Sequence, residues 1–110
     1  VKRRERKSLI GDYTSLGYEY EAIINKKRDK NVRPLIVTLP HGLNPDKIPY
    51  NYHDGEELIY VLSGKMIFHY NDEQYLVEEG DCLFFDSRVP HKVVAGTDES
   101  PVKILSVLTF

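Results

Sequence analysis

The sequence predicts an all-β sandwich or barrel of about eight short strands. Short runs with alternating or concentrated apolar side chains recur along the chain, and such runs are typical of strands with one or two buried faces. Glycine, proline, asparagine and aspartate separate the runs about every ten residues, a spacing typical of sandwiches and barrels. No run of helical period is long enough to compete with the strands.

The first half of the chain holds two of the predicted strands. Residues 18–24 alternate aromatic or apolar side chains with glutamate, which indicates a strand with one buried face. Residues 33–39 form a short β-branched run and are predicted to be the second strand. The polar run 25–31 is expected to connect them as a hairpin, and the proline-rich run 40–49 to form a loop. Residues 8–16 are expected to form a short helix or turn.

The second half carries the remaining strand signals. Each predicted strand there is bounded by turn-forming residues. The strands are predicted at 57–62, 65–70, 74–77, 82–85, 91–95 and 102–109. Gly64 and Gly80 stand at two of the turns, where a positive φ is expected.

The composition is that of one folded domain. A chain of 110 residues, with 41% hydrophobic and 29% charged residues, matches neither a disordered nor a membrane protein. Its apolar runs are far shorter than the roughly 20 residues of a membrane-spanning helix. The single cysteine, Cys82, excludes an internal disulfide. Together with a charged N-terminus that lacks a signal peptide, it predicts a cytoplasmic protein with no membrane partner.

Charge is divided unevenly along the chain. Residues 1–33 carry ten Lys/Arg against five Asp/Glu, whereas residues 34–110 carry five against twelve. The basic end is expected to be a solvated linker, with contact to nucleic acid or an acidic surface as the alternative. We therefore predict a basic lead-in at 1–17 and a single domain at 18–110. Because the sequence does not begin with methionine, we expect either a processed product or an excised fragment of a longer polypeptide.

Two histidines and one carboxylate are the candidate functional residues. Asn51, His53 and Glu57 are separated by even numbers of residues, which would place them on one side of a regular strand. His91 opens a later predicted strand and can face the same cavity. Two imidazoles and a carboxylate bind iron and similar metals with positions left open, and three protein ligands also suit zinc. The alternative is a set of hydrogen-bonded polar residues at the mouth of a barrel.

The segments 51–64 and 80–91 resemble the two motifs of the cupin superfamily. The first motif usually reads His-x-His, three or four residues, Glu, six residues, Gly. The second usually reads Gly, five residues, Pro-x-Gly, two residues, His. The resemblance implies a jelly-roll β-barrel, also called a double-stranded β-helix. It also implies metal ligands at His53, Glu57 and His91 for a divalent ion such as Zn, Fe, Ni or Mn.

The chain departs from both motifs. Asn51 stands where the family usually has its first histidine, and an amide is at most a weak ligand for these metals. Asp86 and Arg88 stand where the second motif usually has proline and glycine. An incomplete ligand set lowers the expectation of metal-centred catalysis and favours a binding role.

A narrower resemblance points to regulation. The stretch 85–91, with 55–57 and 60–64, is similar to the C-terminal cupin sensor domains of bacterial helix-turn-helix (XRE-type) transcription regulators. It implies a homodimer that binds a small-molecule effector and reaches DNA only through an N-terminal domain absent from this chain. The leading functional prediction is therefore a sensor domain rather than an enzyme. A small metal-dependent dioxygenase or isomerase and a purely structural dimerisation module are the alternatives.

Four further residues are predicted to contact the ligand. They lie on or beside the motif strands and are Tyr60, Phe68, Phe85 and Arg88. Aromatic side chains often line such a cavity, and an arginine can clamp an anion through its planar fork. The alternatives are core or interface packing for the aromatic residues and a salt bridge to Asp86 for Arg88.

Overall fold

Nine strands form two antiparallel sheets in a computed structural model that describes residues 2–24, 31–96 and 100–110. In chain order they are β1 (Lys7–Leu9), β2 (Glu19–Ala22), β3 (Val32–Leu39), β4 (Glu56–Ser63), β5 (Lys65–Tyr70), β6 (Glu73–Glu78), β7 (Cys82–Asp86), β8 (His91–Ala95) and β9 (Val102–Thr109). The larger sheet has the order β1-β2-β3-β9-β4-β7, and the smaller has the order β6-β5-β8. The predicted all-β fold is confirmed.

The eight predicted strands are all present, with ends shifted by at most two residues. The structure differs from the prediction in the segment before these strands, where a short helix or turn is expected at 8–16. Lys7–Leu9 instead pairs with β2, with Leu9 opposite Tyr20, and only Thr14–Leu16 forms a 3₁₀ turn. The predicted hairpin at 25–31 lies almost wholly outside the described residues.

The predicted basic lead-in is part of the fold. Besides supplying β1, it places Tyr13 in the buried core next to Tyr18, with ring centroids 5.2 Å apart. The polar sequence of this segment does not reveal the strand, because a strand at a sheet edge needs few apolar residues of its own. Whether a domain boundary falls at residue 18 stays a prediction. In the described parts of the chain, no helix has the length and apolar character needed to cross a membrane.

The core lies between the inner faces of the two sheets. Glu57, Ile59 and Val61 alternate with more exposed neighbours along β4, as expected for a strand with one buried face. On β9, Val102, Ile104 and Ser106 are the buried residues. Glu57 and Ser106 therefore belong to the same inner surface as the apolar core, and they mark the polar part of it.

Candidate metal centre

The bend before β4 determines where His53 lies. The His53 amide donates to the Ser87 carbonyl at 2.9 Å, and the Ser87 amide donates to the Gly55 carbonyl at 3.0 Å. Gly55 has φ 94°, and a Cβ atom at this position would overlap the carbonyl oxygen of Thr109. Only glycine fits such a site at low cost. The bend thus fixes the loop that carries His53 to the loop between β7 and β8.

Pairing between two segments places His91 beside this loop. His91 is the first residue of β8, and it forms an isolated bridge with Asn51. The Asn51 amide donates to the His91 carbonyl at 2.8 Å, and the His91 amide donates to the Asn51 carbonyl at 2.9 Å. Both cupin-like motifs therefore meet at one end of the core.

Three candidate ligand atoms converge at this end. Glu57 Oε1 lies 3.5 Å from His53 Nε2 and 3.6 Å from His91 Nε2. His91 Nδ1 lies 2.8 Å from the Val89 carbonyl, and His53 Nδ1 lies 3.1 Å from the Asp54 carbonyl. A carbonyl can only accept, so each Nδ1 carries the proton in these contacts and each Nε2 keeps a lone pair for a metal. The three side chains can hold one ion, since their ligand atoms lie within 4.8 Å of one another.

The charge of Glu57 suits a cation. Burial alone would raise the pKa of this carboxyl, but contacts with His53, His91 and Ser106 outweigh burial and lower the pKa from 4.5 to about 2. The pKa of His53 is raised, chiefly by its contact with Glu57, which favours the protonated form. Glu57 is therefore ionised at neutral pH and supplies the negative charge that a divalent metal requires.

A cavity of about 310 Å³ opens onto the three candidate ligands. Aliphatic residues of β3, β4 and β9 line it, together with the tyrosines at 13, 18 and 20. The Tyr13 hydroxyl donates to the Pro49 carbonyl at 2.7 Å, and that of Tyr18 donates to the Val93 carbonyl at 2.6 Å. Burial raises the pKa of Tyr13 and of Tyr20 to about 12, so both stay protonated at neutral pH. The arrangement is an apolar pocket with a few polar groups, as is usual for small-molecule sites.

Asn51 borders the same cavity but makes a different contact. Its Nδ2 donates to Asp12 Oδ2 at 3.0 Å, which links two residues of the cavity wall. The carbonyl oxygen is the only atom of this amide that could bind a metal. A role for Asn51 as a weak ligand stays a prediction.

The structure places none of the four predicted ligand-contacting residues among those that line the cavity. Tyr60 is on the face of β4 opposite Glu57, because side chains alternate along a strand. Phe68 and Phe85 pack on each other at 4.7 Å, and Phe85 packs on the His91 ring at 4.9 Å. Arg88 pairs with Asp86 at 2.8 Å on the surface, which is the alternative given above. Ligand contact by these residues stays a prediction.

The cavity residues that were not predicted from the sequence include four with hydroxyl groups. Tyr13, Tyr18 and Tyr20 line the cavity, and the Ser106 hydroxyl donates to Glu57 Oε2 at 2.8 Å. The alternation of Tyr18 and Tyr20 with glutamate was a usable signal, because it shows that both rings face inward. Ser106 carries a weaker signal as a single hydroxyl within an apolar strand.

Comparison with known proteins identifies the family. The model of the cupin domain matches residues 36–108. (S)-2-hydroxypropylphosphonic acid epoxidase of Streptomyces wedmorensis is 28% identical over 95 residues, which cover 82% of this chain and 48% of the enzyme. An uncharacterised protein of Methanocaldococcus jannaschii is 29% identical over 56 residues, which cover 51% of this chain and 44% of that protein.

Solved structures give the same result. Fe(II)-HppE with the alternative substrate (S)-1-HPP has a TM-score of 0.82 and 28% identity over 98% of this chain and 58% of that one. Hydroxypropylphosphonic acid epoxidase in complex with fosfomycin has a TM-score of 0.83 and 26% identity over 98% of this chain and 57% of that one. The chain therefore spans about half the length of the relatives it matches.

These relatives correct the functional prediction. The resemblance to sensor domains of transcription regulators led to a wrong interpretation, because the named relative is an iron-containing epoxidase and the comparisons support the enzyme alternative. DNA binding and a dimer likewise find no support in them. The general resemblance is confirmed, since the matched region includes both motifs and most of the strands. The chain belongs to the cupin domain family.

Proposed function

We propose that the chain is the catalytic domain of an iron(II)-dependent cupin enzyme that oxidises a small organic substrate. The observation that carries the proposal is the convergence of His53, Glu57 and His91 on the wall of a cavity. Two imidazoles and one carboxylate are the ligand set of non-haem iron enzymes with open coordination positions. Relatives that include Fe(II)-bound structures and an epoxidase support iron as the metal.

The three side chains would hold the ion through Nε2 of each histidine and Oε1 of Glu57. Bound iron would supply redox chemistry that amino-acid side chains lack. The ionised Glu57 balances part of the charge of the ion, and the carbonyls of Val89 and Asp54 keep both imidazoles in the tautomer that binds metal. The residues of this chain thus provide orientation and charge.

The cavity wall would select and orient the substrate. Its aliphatic side would take up the carbon skeleton and exclude water. The Tyr20 hydroxyl lies 3.4 Å from the Tyr13 amide and accepts from it. Among the described residues nothing accepts the Tyr20 proton in return. This hydroxyl is therefore available to donate to a polar or anionic group of the substrate.

Metal analysis followed by turnover tests the proposal. Protein purified without chelator and reconstituted with Fe(II) under argon should contain close to one iron per chain. Less than about a tenth of a metal per chain, with no gain from added iron, nickel, manganese or zinc, would contradict it. The iron-loaded protein is then incubated with (S)-2-hydroxypropylphosphonic acid and an oxidant, and ³¹P NMR reports any epoxide. A panel of small alcohols without phosphorus, analysed by mass spectrometry, covers other substrates.

A matched pair of variants separates the site from general effects of histidine loss. His53→Ala should lose the iron and any oxidative activity, because it removes one of three ligands. His41→Ala changes an exposed histidine in the loop between β3 and β4, and it should retain the iron content. Equal iron content in the two variants would place the metal elsewhere on the chain.

A further inference from the structure

A buried serine contacts the carboxylate of the candidate metal centre. Ser106 lies on β9, and only 4% of its surface is exposed. Its hydroxyl donates to Glu57 Oε2 at 2.8 Å, within the buried interior. In the strand pairing, Ser106 is opposite Leu35 of β3 on one side and Ile59 of β4 on the other. The hydroxyl is therefore held by a strand that is hydrogen-bonded along both edges.

This contact makes the two oxygens of Glu57 unequal. Oε2 faces Ser106, whereas Oε1 lies 3.5 and 3.6 Å from the Nε2 atoms of His53 and His91. A carboxylate can bind a metal through one oxygen or through both. Two-oxygen binding would require Oε2 to turn toward the two imidazoles, which would strain or break its hydrogen bond with the Ser106 hydroxyl. Loss of this hydrogen bond would leave the buried Ser106 hydroxyl without a partner, at a cost in free energy.

We propose that Ser106 is a positioning residue that restricts Glu57 to one-oxygen coordination. Restriction to a single oxygen keeps one more coordination position open toward the cavity, where substrate and oxidant would bind. The proposal rests on the proposed function, because it requires a metal ion at His53, Glu57 and His91. It adds an explanation of how coordination positions on the ion stay open.

Cobalt(II) provides a direct test, because its visible absorption weakens as the number of ligands increases. Ser106→Ala removes the hydroxyl without adding volume. We expect its affinity for Co²⁺ to fall about tenfold, as is typical when a partner of a metal ligand is lost. We also expect weaker visible absorption of the bound ion, and weaker binding of azide, because the second carboxylate oxygen would occupy an open position.

Ser87→Ala is the matched control. Ser87 is fully buried and near the site, but its hydroxyl has no hydrogen-bond partner within the described structure. This variant also removes one buried serine hydroxyl, and it should keep the wild-type affinity for Co²⁺ and for azide. A change equal to that of Ser106→Ala would show that loss of any buried hydroxyl disturbs the centre, and it would overturn the proposal.

A second pair of variants guards against packing effects. Ser106→Thr and Ser106→Val have nearly the same shape, and they differ in a hydroxyl against a methyl group. Circular dichroism checks folding first. Both variants carry the same added methyl group and therefore the same strain. A difference between them in Co²⁺ spectrum or azide affinity then measures the effect of the hydroxyl. We expect the threonine variant to resemble wild type and the valine variant to resemble Ser106→Ala.

The outcomes distinguish this proposal from the proposed function. Wild-type protein that binds no Co²⁺ would overturn both. Wild-type protein that binds Co²⁺, with Ser106→Ala showing the same affinity, spectrum and azide binding, would overturn the positioning role and leave the metal centre intact. Equal spectra and azide affinities for the threonine and valine variants would also overturn it.

Discussion

Two neighbouring residues of β8 face opposite sides of the smaller sheet. His91 points into the core, where it meets Glu57 and His53. Lys92 is equally buried, but its side chain extends to the opposite, outer side of the sheet, where its ammonium donates to the carbonyls of Pro45 at 2.7 Å and Ile48 at 3.0 Å. The strand pairing repeats this division, since Tyr70 is opposite His91 and His69 is opposite Lys92.

Both sides bury a histidine, but within the described residues only the inner one lies with a second histidine and a carboxylate close enough to share a metal ion. His69 is 6% exposed, its Nε2 has no hydrogen-bond partner within the described structure, and its ring packs edge-on against Tyr50. Burial lowers the pKa of His69, and the positive charge of Lys92 lowers it further. On the inner side the nearest charge is the Glu57 carboxylate, and the pKa of His53 is raised. A convergent carboxylate and an adjoining cavity, rather than burial, distinguish the candidate site.

The largest effect is expected from the carboxylate itself. Glu57→Gln keeps the shape of the side chain but replaces an anion by a neutral amide, and it should weaken metal binding roughly 1000-fold, or about 4 kcal/mol. His69→Gln, on the outer side, should leave the dissociation constant within about twofold. Calorimetric titration with Fe(II) under argon measures both. Similar losses in the two variants would show that the two sides are not functionally distinct.

The two sides also predict different pH dependences for the metal-free protein. The pKa of Glu57 is 4.5 unfolded and about 2 folded, so its contribution to stability is present above about pH 5 and lost as the pH falls toward 2. At 1.36 kcal/mol per unit the contribution is about 3 kcal/mol. Urea unfolding at pH 7, 4 and 3 should show this acid loss in wild type and much less of it in Glu57→Gln. An equally steep loss in the variant would contradict the assignment.

His53 and His69 should change the stability of the protein with pH in opposite directions. The folded pKa of His53 is raised, so its contribution is present below pH 6.5 and is lost as the pH rises through the folded value. The folded pKa of His69 is lowered, so the protein loses stability as the pH falls below 6.5 and the unfolded chain takes up the proton. NMR titration of the imidazole Hε1 signals should give a higher pKa for His53 than for His69. The reverse order would refute the electrostatic contrast.

Lys92 should matter for stability and not for the metal. Lys92→Met keeps an unbranched apolar chain but removes the ammonium that bridges two carbonyls and lies 4.5 Å from the centroid of the Tyr50 ring. We expect the free energy of unfolding to fall by about 2 kcal/mol, as for loss of charged hydrogen bonds. The pKa of His69 should rise, because a positive neighbour is lost, and metal affinity should stay within about twofold. Urea unfolding, NMR and calorimetry test the three statements.

The sequence predicts most of the fold because its period-two runs and turn residues are local signals. The inward direction of Glu57 on β4 and the turns at Gly64 and Gly80, both with φ 88°, follow from such patterns. Strand β1 was missed because Lys7–Leu9 has no buried residue and gains its structure from pairing with β2. A strand of this kind depends on a distant partner, which local periodicity does not show.

The candidate site also has a part that the sequence predicts and a part that it does not. His53, Glu57 and His91 could be named from residue type and spacing, because metal ligands come from a short list of side chains. The contacts that orient them could not, since Ser106 is 49 residues from Glu57 and meets it only through the pairing of β4 with β9. Tyr60 is near the motif in sequence, but strand alternation places it on the face of β4 opposite Glu57, so its contact with a ligand stays a prediction.

The smallest effect is expected from completing the family motif on the inner side. Asn51 borders the cavity and is bridged to His91 through the backbone, so Asn51→His would bring a third imidazole to the same centre. We expect metal affinity to rise about tenfold, or about 1.4 kcal/mol, because an imidazole binds these metals better than an amide. Asn51→Ala removes the same hydrogen bond to Asp12 without adding a ligand, and it controls for the loss of that contact. Calorimetry on the pair separates the two contributions. If Asn51→His bound metal no more tightly than Asn51→Ala, the side of the three ligands nearest Asn51 would not face the ion, and the inner site would bind metal through His53, Glu57 and His91 alone.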